Sequence, residues 1–251
     1  MTSAERRTAL ETIATEVRTC TRCRLAAGRT NAVPGEGSAD TEVVLIGEAP
    51  GFNEDRLGRP FIGRAGDLLV KLLASIGWRR DDVFITNVVK CRPPDNRDPE
   101  PDEVAACAPY LKRQLEILDP ALIVTLGRHS MGRFMPGARI SQAHGTSAVV
   151  DPASGARDAT VFAMYHPAAA LRGAEIERQS YDDIEHAPRV LLDSRARRAS
   201  TADTPDARTA HAPEARPGHA PEPPSELSRE LAPALTLAPE PAPDAADLTI
   251  F

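Results

Sequence analysis

Apolar residues fall along the chain in two alternating rhythms. Residues 3–18 carry them at helical spacing, and EVVLIGE (Glu42 to Glu48) is a short continuous apolar run ending at a glycine turn, the pattern of a strand buried on both faces. GRAGDLLVKLLASIG (Gly63 to Gly77) returns to helical spacing and stops at a glycine. DVFITNVVKC (Asp82 to Cys91) predicts a second strand. PDEVAACAPYLKRQLEIL (Pro101 to Leu118) predicts a helix, with proline at its first position and acids in its first turn. DPALIVTLG (Asp119 to Gly127) predicts a third strand, a helix follows from Arg128, and TVFAMYHP (Thr160 to Pro167) predicts a fourth strand.

This alternation predicts an α/β fold, a parallel sheet with helices on both faces. Ligands in such sheets bind beyond the carboxyl ends of the strands. Those ends are Gly47–Gly51, Asn87–Pro94, Gly127–His129 and His166–Arg172. Past residue 198 the rhythm stops. Ten prolines fall in the last 53 residues, and no aromatic occurs there before Phe251. Such a segment buries too little apolar surface to offset its ordering entropy. The expected organisation is one folded domain, 1–198, and a disordered tail, 199–251.

The strand ends carry the candidate chemistry. Asn87 offers a donor and an acceptor on one side chain, the pattern needed to read a base edge, although turns and caps also use Asn. His166 stands at a strand end before a proline, beside Leu171 and Arg172, and five other histidines are present. GEAPGFNEDRLGRPFIGRAG (Gly47 to Gly66) begins like a phosphate loop, yet it holds Glu48, Glu54 and Asp55, too much negative charge for that purpose. Phe61 in the same stretch suits core packing as well as ligand stacking.

Charge changes the picture only when it is located. The 251 residues carry a net charge of −6, which argues against a nucleic-acid partner. Residues 1–198 nevertheless hold 27 basic and 27 acidic side chains, while the tail holds 3 and 9. The imbalance is all in the tail, and a neutral domain can carry a local basic face. There is no apolar run of membrane-spanning length and no secretory signal at the amino terminus, so a cytoplasmic protein is expected.

Cys20 and Cys23 form C-x2-C, and Cys91 and Cys107 have fifteen residues between them. In a cytoplasmic chain these four point to metal rather than disulfides, and four thiolates suit either zinc or a [4Fe–4S] cluster. A zinc ribbon pairs two C-x2-C knuckles, and the second pair here is too widely separated for that. Four unrelated buried cysteines are the alternative.

Taken together, CTRCRLAAGRTNAVPGEG, GEAPG…ED…GRPFIGRAG, ITNVVKCRPPDNRDP, the Cys107 helix and HPAAALR closely resemble the family 4, iron–sulfur type, uracil-DNA glycosylases. The resemblance covers roughly residues 5–195. It implies a three-layer α/β/α sandwich with a four-stranded parallel sheet, and a structural [4Fe–4S] cluster on Cys20, Cys23, Cys91 and Cys107. It implies a monofunctional enzyme that hydrolyses the N-glycosidic bond of deoxyuridine in DNA, leaves an abasic site and acts as a monomer. By similarity Phe61 stacks on the extruded uracil, Asn87 reads its N3–H and O4, Glu54 fills the space of a thymine methyl, and His166 faces O2 and stabilises the leaving anion. Ala169–Leu171 resembles a wedge entering the duplex, and Arg172 a phosphate contact. Better-known glycosylases keep an aspartate where this chain has Ala49, in the substrate site, which leaves the neighbouring Glu48 as the nearest catalytic carboxylate. Two other readings stand beside this one. The first is a non-enzymatic iron–sulfur protein that binds damaged DNA or carries electrons. The second is a covalent uracil-DNA-binding relative, disfavoured because CRPPDNRDPEP lacks the histidine it requires.

The chain ends ADLTIF, which resembles the peptide by which bacterial repair proteins dock on the sliding clamp, with Leu248, Ile250 and Phe251 as the apolar anchors. Asp247 stands where that motif leads with Gln, and a terminal stretch without a partner is the plain alternative.

Overall fold

The computed structural model describes residues 1–202. Six strands form one sheet: β1 (Glu36–Gly37), β2 (Val43–Gly47), β3 (Phe84–Asn87), β4 (Leu122–Leu126), β5 (Ser147–Val149) and β6 (Thr160–Met164). Their order is β1-β3-β2-β4-β6-β5. The inner four are parallel, as the alternation predicts, and the two edge strands are antiparallel. The edges have two and three residues, too short for any periodicity to announce them.

The helices are α1 (Ser3–Thr19), α2 (Phe52–Leu57), α3 (Arg64–Ser75), α4 (Pro101–Leu118), α5 (Arg128–Phe134), α6 (Ile140–Ala143), α7 (Pro167–Ala170), α8 (Ala174–Ile184) and α9 (Ala187–Ala202). The inner strands alternate side chains between two cores. Val44, Ile46 and Ile123 face a layer containing Ile13 and Val17 of α1 and Leu111 and Leu115 of α4. Val43, Leu45 and Val124 face Leu69 and Leu72 of α3, Ile184 of α8 and Leu191 of α9. Both faces are covered, which explains why these strands read as unbroken apolar runs. The three-layer sandwich is therefore present. Among the described residues no helix is long and apolar enough to cross a membrane.

One strand is shorter than its sequence pattern. The apolar run Asp82–Cys91 leaves the sheet after Asn87. Val88 and Val89 stay buried, but in the core beside α1 and α4, where Cys91 and Cys107 lie. Their amides bond to Gly47 O (3.0 Å) and Glu48 O (3.1 Å), so the two chain segments stay side by side beyond the strands. Residues 199–202 continue α9. The remainder of the expected tail, with Leu248, Ile250 and Phe251, lies outside the described residues.

Candidate functional site

A cavity of about 660 Å³ opens at the carboxyl ends of β2, β3, β4 and β6. Each predicted substrate residue lines it: Glu48, Ala49, Glu54, Phe61, Asn87 and His166 in the body, Leu171 and Arg172 at the mouth. Parallel register sets the first contact. Gly47 of β2 pairs with Asn87 of β3. A Cβ on Gly47 would stand 2.4 Å from Asn87 Oδ1 and 2.6 Å from Phe61 Cζ, so glycine lets the amide and the ring meet over the strand end. Asn87 is 1% exposed, and its Oδ1 has no hydrogen-bond partner. A buried unpaired acceptor costs about 1–3 kcal/mol, which makes this atom a strong candidate for ligand recognition.

Phe61 is held in an unusual backbone. Its φ is 49°, in the left-handed region that non-glycine residues seldom enter. Arg80 donates to Phe61 O (3.1 Å) and to Pro60 O, and it is itself clamped to Glu36 of edge strand β1 (2.7 Å). On the other side Glu54 Oε1 accepts the amides of Ile62 (3.0 Å) and Gly63 (3.1 Å). Glu54 thus anchors the loop that carries Phe61, a function the sequence does not reveal. Gly66 completes the fit, since a Cβ there would meet Phe61 O at 1.9 Å.

His166 caps α7. Its Nδ1 accepts the amide of Ala168 (3.1 Å), which fixes the neutral ring with its proton on Nε2. The ring lies 5.6 Å from that of Phe61. Burial, reinforced by the Arg172 charge and opposed by Glu54, pushes its pKa down to about 4. The unfolded chain therefore takes up this proton first. The stability that His166 contributes by staying neutral is complete above pH 6.5 and declines as pH falls towards about 4, below which the loss is complete. The shift corresponds to a contribution on the order of 3 kcal/mol. Replacing His166 with Gln is expected to flatten the urea-unfolding free energy in that window relative to the parent. Parallel curves for the two proteins would contradict this assignment.

Glu48 has company the sequence did not indicate. Its Oε2 lies 3.7 Å from His129 Nε2, which is 3.3 Å from Asp98 Oδ2. Arg128 donates to His129 Nε2 (3.0 Å) and pairs with Asp98. Burial raises the Glu48 pKa, His129 and Arg128 oppose the rise, and Asp98 adds to it. Asn96 and Arg64 also line the cavity. Only the position of Gly127–His129 at a strand end could have singled out His129, because Asp98, Arg128 and His129 reach Glu48 from two segments far from it in the chain.

The four cysteines meet on the other side of the β3 loop, around a small cavity of about 10 Å³. Cys20 and Cys23 follow α1, Cys91 ends the β3 loop, and Cys107 lies in α4. Three sulfurs accept N–H donors: Cys91 from Arg29 Nη1 (3.1 Å), Cys107 from Lys90 N (3.3 Å) and Cys20 from Arg22 N (3.5 Å). Among the described residues, no three of the cysteine sulfurs approach within 4.8 Å of one another. A tetrahedral zinc at ~2.3 Å from each sulfur would bring them to about 3.8 Å. Burial raises the Cys91 thiol and pushes Cys107 up to about 11.

Lys90 links the two places. Its ammonium is 1% exposed and donates to Thr86 Oγ1 (2.5 Å), Asn87 O (2.8 Å) and Gln114 Oε1 (2.8 Å). Gln114 in turn donates to Pro34 O (2.7 Å). The backbone beneath the Asn87 amide is therefore fixed from inside the core, one residue before Cys91.

Residues 34–185 match the family model of the Uracil DNA glycosylase superfamily. The chain is 50% identical over 184 residues to the type-4 uracil-DNA glycosylase of Sulfurisphaera tokodaii, covering 70% of this chain and 82% of that one. Against the type-4 enzyme of Saccharolobus solfataricus it is 48% identical over 188 residues, 72% of this chain and 86% of the other. Against that of Thermotoga maritima it is 45% identical over 180 residues, 71% and 92% respectively.

Proposed function

The chain belongs to the uracil-DNA glycosylase superfamily and, within it, to the type-4 enzymes, hydrolases of the N-glycosyl bond of uracil in DNA, and we propose that the cavity at the strand ends is where it does this work. The observation that carries the proposal is the unpaired Asn87 Oδ1, buried beside the fixed Phe61 ring and near the His166 ring.

In this reading an extruded uracil lies on Phe61. Asn87 Oδ1 accepts N3–H and the amide N–H donates to O4. Cytosine reverses that order and leaves buried groups mispaired, at about 1–3 kcal/mol each. Glu54 closes the side where thymine would carry a methyl, while its other oxygen holds the loop. His166, neutral at physiological pH, donates Nε2–H to O2 as negative charge grows on the departing base. A preorganised donor of this kind lowers a barrier by about 3–4 kcal/mol. With Ala49 unable to orient water, the sugar cation forms largely before water attacks. Glu48, half-buried near His129, is the carboxylate available to steady that cation or receive the water proton. Leu171 fills the vacated stack and Arg172 holds a phosphate.

The cysteines fit a [4Fe–4S] cluster. Their sulfurs stand too far apart for one zinc ion, and the hydrogen bonds from Arg29 to Cys91 and from the Lys90 amide to Cys107 oppose the rise that burial gives those two thiols. When bound, the cluster supplies cross-linking rather than electron transfer, joining α1, the β3 loop and α4. Beyond α9, the terminal Leu248, Ile250 and Phe251 are a candidate clamp-docking peptide.

The test of activity is incubation with a uracil-containing oligonucleotide, followed by alkaline cleavage at abasic sites. A strand break only after alkali is expected. No product from protein that carries its full complement of iron would overturn the reading.

A further inference from the structure

Phe52 is the first residue of α2 and follows Gly51, which lines the cavity. Its ring is 58% exposed, an unusual position for a phenylalanine on a polar surface. The Arg92 guanidinium lies over that ring, 5.2 Å from its centroid. Arg92 is held there by one hydrogen bond, from Nε to Asn96 Oδ1 (2.8 Å), and Asn96 itself lines the cavity. Arg92 makes no ion pair among the described residues, like the cavity arginines Arg64 and Arg172 and unlike Arg97 and Arg128, which are tied to acids. An exposed ring and an oriented cation without an ion pair therefore stand together, next to the cavity-lining Gly51 and Asn96.

Their placement follows from the sheet. Phe52 comes from the loop after β2 and Arg92 from the loop after β3, while Leu171 comes from the loop after β6, with β4 between. An aromatic face next to a free cation is the combination that binds single-stranded nucleic acid, the ring stacking a base and the cation meeting its phosphate.

We propose that Phe52 and Arg92 form a stacking platform for an unpaired nucleobase adjacent to the extruded uracil, so that the enzyme grips single-stranded DNA more strongly than its cavity alone would allow. The proposal rests on the glycosylase reading for its substrate. In a duplex the adjacent base is already stacked and paired, and the platform gains little. In a single strand the base is free to turn onto the ring, with the neighbouring phosphate against Arg92.

The test uses the full-length, cluster-bearing protein with oligonucleotides that contain 2′-fluoro-2′-deoxyuridine, which resists cleavage, and 2-aminopurine on its 5′ or 3′ side. Phe52→Leu keeps an apolar side chain without the ring, and Phe52→Trp restores a ring. Affinity for the single strand is expected to fall roughly tenfold in Phe52→Leu, with a much smaller change for the duplex, and to recover in Phe52→Trp. The 2-aminopurine emission at one flanking position should change on binding the parent and Phe52→Trp but not Phe52→Leu. Equal single-strand affinity and equal emission for parent and Phe52→Leu would overturn the platform. So would an equal loss on single strand and duplex. Because these readouts need only binding, a parent that failed to release uracil would defeat the glycosylase reading while leaving this measurement decisive.

Discussion

Replacing Asn87 with alanine is expected to lower kcat/KM on uracil-containing DNA by roughly 10²-fold or more, without lowering the melting temperature. Two effects separate here. The uracil N3–H and O4 would enter a site with nothing to pair with, at about 1–3 kcal/mol for each group, and the two together account for the loss of rate. In the free protein the same Oδ1 is buried and unpaired, so removing it relieves a cost instead of creating one. The space left behind opens into an existing cavity, which keeps the packing penalty small. Melting curves should therefore coincide with the parent or move up by a few degrees, at about 2–4 °C per kcal/mol for a domain of this size. A variant that melted well below the parent yet released uracil at the parental rate would show that Asn87 is a structural residue.

The second large effect concerns the proposed metal centre. Replacing Cys107 with serine is expected to abolish the brown colour and absorbance near 400 nm and to leave a protein that is unfolded or melts far below the parent. Cys107 is 8% exposed inside α4, and the sulfurs it faces come from α1 and the β3 loop. Binding energy at a structural metal centre is folding energy, on the order of 10 kcal/mol in small metal-bound domains. Removing one of four ligands disconnects three elements at once. The Lys90 network would lose its support from Cys107 as well, because the Lys90 amide donates to that sulfur. Metal analysis of the parent should give four irons per chain. One zinc per chain, or full activity in a metal-free Cys107→Ser protein, would sink the assignment.

Much of this was legible in the sequence because the inner strands are buried on both faces. Val43–Gly47 and Leu122–Leu126, interrupted only by Thr125, show as apolar runs followed by glycine, and Pro101–Leu118 was readable to the residue from its proline and acidic first turn. The rule that ligands gather at carboxyl ends of parallel strands then brought Glu48, Asn87 and His166 together before any coordinates. What stayed hidden depends on contacts distant in sequence or on backbone angles. VVKC reads like strand, yet Val88 and Val89 turn into the helical core. Asp98, Arg128 and His129 meet Glu48 from two other loops, and no local pattern marks that meeting. Glu54 looks like surplus negative charge in a loop until its bonds to two amides are seen. Edge strand β1 is invisible in two residues, although its Glu36 holds both Arg59 and Arg80.

The left-handed Phe61 backbone costs on the order of 1–3 kcal/mol, and that cost falls on the folding of the protein, before any DNA arrives. Arg80 from one side and Glu54 from the other hold the loop that carries the ring. In the proposed reading, a uracil leaving the helix meets a surface with no search left to make. The entropy of assembling a base-binding wall has been spent once per molecule rather than once per encounter. For an enzyme that must test many normal nucleotides for each damaged one, that difference shortens every failed visit as well as every successful one.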